Sequence, residues 1–128
     1  MKLIADVSAI IPYVLQGDHK IEEIIAKDQL LISPILFISE CGNTWLKYLN
    51  KKLIDPEDGY YYLNLSLGLI AQFIDLNSYA ADILQLAYEQ DLSYYDAEYL
   101  FLTLAMNGRL VSRDEKLNKA ALSLGVIY

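Results

Sequence analysis

Short apolar runs alternate along the chain with longer segments of helical period, and no Ser-rich or low-complexity stretch separates them. That alternation is the mark of βα units around a parallel sheet, so the pattern predicts an α/β fold. A buried strand is predicted over 2–5 and ends at Asp6, with Ser8 placed to cap a helix over 8–15. A short helix follows over 21–26, then a strand over 29–33. Pro34 suits the first turn of a long helix to 53, where its missing N–H has no partner to lose. Asp55 caps the next helix, with Pro56 at its start. Strands over 70–76 and 109–112 are predicted around helices over 77–90 and 93–106, capped by Asn77 and Ser93, with Gly108 closing the second. A helix over 116–124 comes last, and 126–128 adds a fifth, edge strand.

Few Pro and Gly, no composition shift and no repeat imply a single domain over residues 1–128. The chain is 55% hydrophobic with a mean hydropathy of +0.24, which excludes a disordered acidic tail. A lone Cys41 and a lone His19 leave no ligand set for structural zinc and no internal disulfide. Asp6 and Pro12 interrupt the apolar stretch from Leu3 to Leu15, and no run reaches the roughly 18 apolar residues of a membrane helix. No membrane association is expected, and the setting is expected to be cytoplasmic. The net charge of −7 argues against nonspecific attachment to nucleic acid.

Four of the seventeen acids sit where an unpaired charge is expensive. Asp6 ends the first apolar strand, where an Asp or Ser can also simply cap the next helix, and parallel sheets place their ligand crevice at the carboxyl ends of strands. Glu40 follows the apolar turn Ile35-Leu36-Phe37-Ile38, so it needs a partner, and Lys47 or Lys51 lies within about 20° of it on the helical wheel. Asp96 opens an almost uncharged helix, where Ser93 and Asp96 also satisfy a capping box. Asp114 follows the strand Leu110-Val111-Ser112, where it is also placed to cap the last helix. Right-handed crossovers bring all four to one end of the sheet.

Converging carboxylates repel by roughly 1 to 4 kcal/mol per pair unless a cation stands between them. Oxygen ligands without His or Cys select Mg²⁺ or Mn²⁺, and such ions activate water against a phosphodiester. The four acids supply −4 of the formal −7, which two divalent ions cancel. Lys47, Lys51 and Lys52 beside Glu40, and Arg113, Lys116 and Lys119 beside Asp114, offer phosphate contacts or simply solvated helix faces.

The segments Leu3-Ile4-Ala5-Asp6-Val7-Ser8, Glu40-Cys41-Gly42-Asn43, Tyr95-Asp96-Ala97-Glu98-Tyr99 and Leu110-Val111-Ser112-Arg113-Asp114 together resemble the PIN-domain ribonucleases, most closely the VapC-type toxins of type II toxin-antitoxin systems. The resemblance spans essentially the whole chain. It implies a three-layer α/β/α fold on a central parallel sheet of four to five strands, and a Mg²⁺- or Mn²⁺-dependent endoribonuclease. Asp6 and Asp96 are then primary metal ligands, Glu40 a ligand or water-orienting base, and Asp114 a ligand to a second or weaker ion. Ser8, Asn43 and Ser112 match supporting polar positions, with Ser112 replacing a more usual Thr. RNA as substrate, a small antitoxin protein and a homodimer are the implied partners. An exposed tyrosine in Tyr60-Tyr61-Tyr62 would suit a dimer or antitoxin contact.

Other readings fit less well. A haloacid-type phosphatase wants a second Asp where Ser8 stands, and a receiver domain wants an acid pair and a late lysine that are missing. The rival of a different class is a catalytically weak or inactive PIN-like binding module acting through protein or RNA contacts.

Overall fold

The computed structural model describes residues 1–128. Four parallel strands, β1 (Leu3–Ala5), β2 (Leu31–Pro34), β3 (Ile70–Ile74) and β4 (Arg109–Val111), form one sheet in the order β3-β2-β1-β4. Seven helices flank it: α1 (Val7–Gln16), α2 (His19–Ala26), α3 (Leu36–Asn50), α4 (Pro56–Gly68), α5 (Ala80–Gln90), α6 (Tyr94–Ala105) and α7 (Glu115–Ser123). The fold is α/β and consistent with three α/β/α layers. No helix is long and apolar enough to cross a membrane.

Strand order explains where a site can form. The chain steps from β1 to β2 to β3 in one direction, then returns past β1 to β4. Right-handed crossovers therefore put α1 to α4 on one face and α5 and α6 on the other. The order reverses between β1 and β4, which makes the carboxyl ends of those two strands the crevice of the sheet. β1 lies at the centre of the core, with Leu3, Ile4 and Ala5 fully buried between Ile10, Phe37, Leu100 and other apolar side chains. On the outer side of α3, Trp45 is buried and donates from Nε1 to Ser66 on α4 (3.1 Å).

Several local expectations change. Asp6, rather than Ser8, is the N-cap of α1: its backbone is extended and its carboxylate accepts from Ala9 N at 3.2 Å. Ser8 lies inside the helix. Pro34 ends β2 opposite Ile74 instead of opening α3, and the next backbone donor, Ile35 N, continues the pairing by reaching the Ile74 carbonyl at 3.0 Å. Asp55 occupies the N-cap position of α4 without a side-chain bond, leaving Pro56 to set the first turn. β3 stops at Ile74, since Asp75 Oδ1 accepts from Asn77 N (2.8 Å) and turns the chain into a single 3₁₀ turn before α5. The fifth strand is reduced to one bridge between Leu110 and Ile127.

Gly108 does not supply the left-handed turn after α6, because Asn107 takes it with φ 52°. A Cβ at Gly108 would instead lie 2.6 Å from the carbonyl oxygen of Lys2 and 2.7 Å from Ile4. Its role is clearance for β4 beside β1. Gly108→Ala is expected to destabilise the fold by about 2 kcal/mol or more, since backbone must move. Gly42→Ala, with open space at its Cβ inside α3, is expected to gain about 0.5 to 1 kcal/mol. Urea unfolding of the two variants checks the contrast.

Candidate functional site

The crevice between β1 and β4 is organised by a buried carboxylate. Asp6 is 6% exposed, yet both of its oxygens are engaged. Ser8 Oγ donates to Oδ1 at 2.7 Å beside the Ala9 N–H, and Ser112 Oγ donates to Oδ2 at 2.7 Å. Each hydroxyl also accepts a backbone donor from the loop after β4: Arg113 N reaches Ser8 (2.8 Å) and Asp114 N reaches Ser112 (2.9 Å). The two hydroxyls lie 3.2 Å apart. Polar satisfaction of this kind is what permits a carboxylate to stay buried.

Asp114 caps α7 through Oδ1, which accepts from Leu117 N at 2.8 Å, and Oδ2 makes no protein hydrogen bond. Capping therefore accounts for only half of this carboxylate. At Asp96 the Ser93 hydroxyl accepts from the Asp96 N–H (3.0 Å), but no reciprocal bond to Ser93 N completes a capping box. The Asp96 side chain stays open to other partners. Glu40 does not pair with Lys47 or Lys51. It accepts instead from the hydroxyl of Tyr99 on α6, 2.6 Å from Oε1, and Oε2 makes no protein hydrogen bond. Tyr99 is 1% exposed, so this bond is fixed in the core.

The electrostatics link these groups. Burial, with Asp114 adding to it, pushes the Asp6 carboxyl up to about 6 against the pull of its three donors. Burial first and Asp114 second raise Asp96, with the Ser93 hydroxyl and Lys116 opposing. Burial and then the Asp96 charge raise Glu40, although the Tyr99 hydroxyl draws it down. Burial and Glu40 raise the neighbouring Glu98. No Lys or Arg forms an ion pair with Asp6, Glu40, Asp96 or Asp114: Arg113 pairs with Asp18 and Lys116 with Asp91, each at 3.7 Å.

The acids thus share one end of the sheet as a chain of repelling neighbours, Asp6 to Asp114 to Asp96 to Glu40. No three of them stand close enough to ligate one ion together in this conformation. An all-oxygen set suits a hard cation, and Mg²⁺ ordinarily takes one or two carboxylates, with water and substrate phosphate completing its shell. Asn43 is exposed and joins none of these bonds. Tyr99 is the residue that sequence reasoning passed over, although its position three residues after Asp96 on one helix face was a usable signal.

No protein-family model matches the chain, and a search of curated proteins finds no match. Solved structures do match. The crystal structure of PAE2754 from Pyrobaculum aerophilum is similar over 94% of this chain and 88% of that one, with 23% identity and a TM-score of 0.75. A likeness at that identity establishes the fold.

The raised Asp6 value carries a pH dependence. The folded value of about 6 exceeds the ordinary 3.8, so the folded state holds the proton more tightly between them. Stability from this group is present below the lower value and is lost as pH rises through the upper one. In chelator, urea unfolding is expected to find the protein about 1 kcal/mol more stable at pH 5 than at pH 7 from this group alone. Asp6→Asn is expected to lose that part of the gain, and an unchanged pH response would contradict the assignment.

Proposed function

We propose that this chain is a Mg²⁺- or Mn²⁺-dependent endoribonuclease of the PIN-domain kind, acting as the toxin of a toxin-antitoxin pair. One observation carries the reading: at the carboxyl end of a parallel sheet Asp6, Glu40 and Asp96 are raised by burial and by neighbouring acids, Asp114 among those neighbours, and no cationic side chain pairs with any of the four. A fold has little reason to keep such a group unless a cation is to be held there.

Asp6, Asp96 and Asp114 would hold the ions, the first rigidly through Ser8 and Ser112 and the second through its open side chain. Bound there, a divalent ion would neutralise phosphate charge and favour ionisation of water. Tyr99 holds Glu40 by Oε1, which leaves Oε2 as the atom that takes the proton when water attacks phosphorus. A raised Glu40 suits a proton acceptor better than an ordinary surface carboxylate. The P–O bond opposite the attacking oxygen breaks in line, and the leaving oxygen keeps the electron pair and takes a proton from solvent water. The exposed Tyr60 and Tyr61 on α4, 66% and 60% accessible, are the surface this reading offers to a second copy or an antitoxin.

A binding module without catalysis is the second reading, favoured by the absence of three acids around one point. Cleavage of single-stranded RNA by the purified, partner-free chain separates them. With Mg²⁺ or Mn²⁺ the wild type is expected to cut, and Asp6→Asn and Asp96→Asn to lose about 100-fold or more while remaining folded. Activity that survives both substitutions, or persists in excess chelator, would sink the mechanism.

A further inference from the structure

A cavity of about 200 Å³ lies between the start of α2 and the residues after β4, against the acid site. Two of its lining residues, Ala9 and Ser112, bond directly to the Asp6 carboxylate. Its apolar wall is Ala9, Ile21 and Val111, all buried. Its charged wall is Asp18, Lys20 and Arg113.

Size and charge together define what fits. Pockets for drug-sized ligands run from about 300 Å³ upward, so this one suits a smaller unit. Lys20 forms no ion pair within 4.0 Å, in a chain whose net charge is −7. Arg113 meets Asp18 at 3.7 Å, longer than the roughly 2.7 to 2.9 Å of a charge-assisted hydrogen bond. Asp18 divides its carboxylate, with Oδ1 capping α2 by accepting from Ile21 N at 3.1 Å and Oδ2 left to the long contact with Arg113. Lys20 is therefore free to face an anion, while Arg113 keeps only a long contact to Asp18 that an anion can displace, and its planar fork grips phosphate oxygens in pairs.

We propose that this cavity binds one sugar-phosphate unit of the RNA, next to the phosphate that would lie over the acids. Lys20 and Arg113 take its phosphate, and Ala9, Ile21 and Val111 take the apolar face of the ribose. The proposal rests on the ribonuclease reading for its substrate, and it names the contact that offsets the repulsion between the acid crevice and the RNA backbone. Lys20 and Arg113 are positioning residues that act on binding rather than on bond breaking.

Ribose 5-phosphate titrated into the ¹⁵N-labelled full chain in chelator tests the site without catalysis. Amide shifts are expected at Lys20, Ile21, Ser112 and Arg113, and their loss in the folded double variant Lys20→Gln, Arg113→Gln. Missing shifts, or shifts unchanged in the variant, overturn the proposal. In RNA cleavage the variant is expected to raise KM about tenfold, more than it lowers kcat, and to reduce the salt dependence by about one unit of slope per cation. An active variant with unchanged KM overturns the cavity and leaves the ribonuclease reading standing. Ribose 5-phosphate binding without any metal-dependent cleavage by the wild type upholds the cavity and overturns that reading.

Discussion

Two serine hydroxyls on one buried carboxylate hold this site together. Ser8 and Ser112 each donate to Asp6 and each accept a backbone N–H from the loop after β4. The end of β1, the first turn of α1 and the start of α7 are thereby indexed to a single side chain. Because both hydroxyls give their proton to Asp6, the arrangement is built around its ionised form, while burial pushes that carboxyl toward protonation. On the proposed reading, a divalent ion at the crevice would relieve that tension.

A second bond does similar work across the sheet. α3 and α6 belong to opposite layers, and the Tyr99 hydroxyl on Glu40 joins them past the carboxyl ends of the strands. Asp96 sits one turn before Tyr99 on the same helix, and it raises Glu40 through its charge. The geometry that fixes one Glu40 oxygen therefore also brings the repelling acid near it. Asp114 completes the sequence of neighbours by acting on both Asp6 and Asp96.

Much of this was legible in the residues themselves. An apolar run stopped by Asp6, and another leading into Ser112 and Asp114, are local signals, and strand handedness turns them into a shared location. What escaped was either a choice between equals or a distant partner. Asp6 and Ser8 are both good caps, and only the backbone shows that Asp6 takes that place and Ser8 turns back onto it. Pro34 suits a helix start and a strand end alike, and pairing with β3 decides between them. Glu40 was weighed against lysines on its own helix, whereas its partner lies 59 residues away. Helical-wheel arithmetic has no access to such a contact. Asn43 matched a motif position, but the fold leaves it in solvent.

The central claim is that the acid crevice is incomplete without a divalent ion, and thermal unfolding with and without Mg²⁺ or Mn²⁺ tests it most directly. An ion that binds only the folded site raises the melting temperature by mass action. The account predicts a clear rise for the wild type and a much smaller one for Asp96→Asn. Equal rises in the two proteins, or none in the wild type, would contradict it.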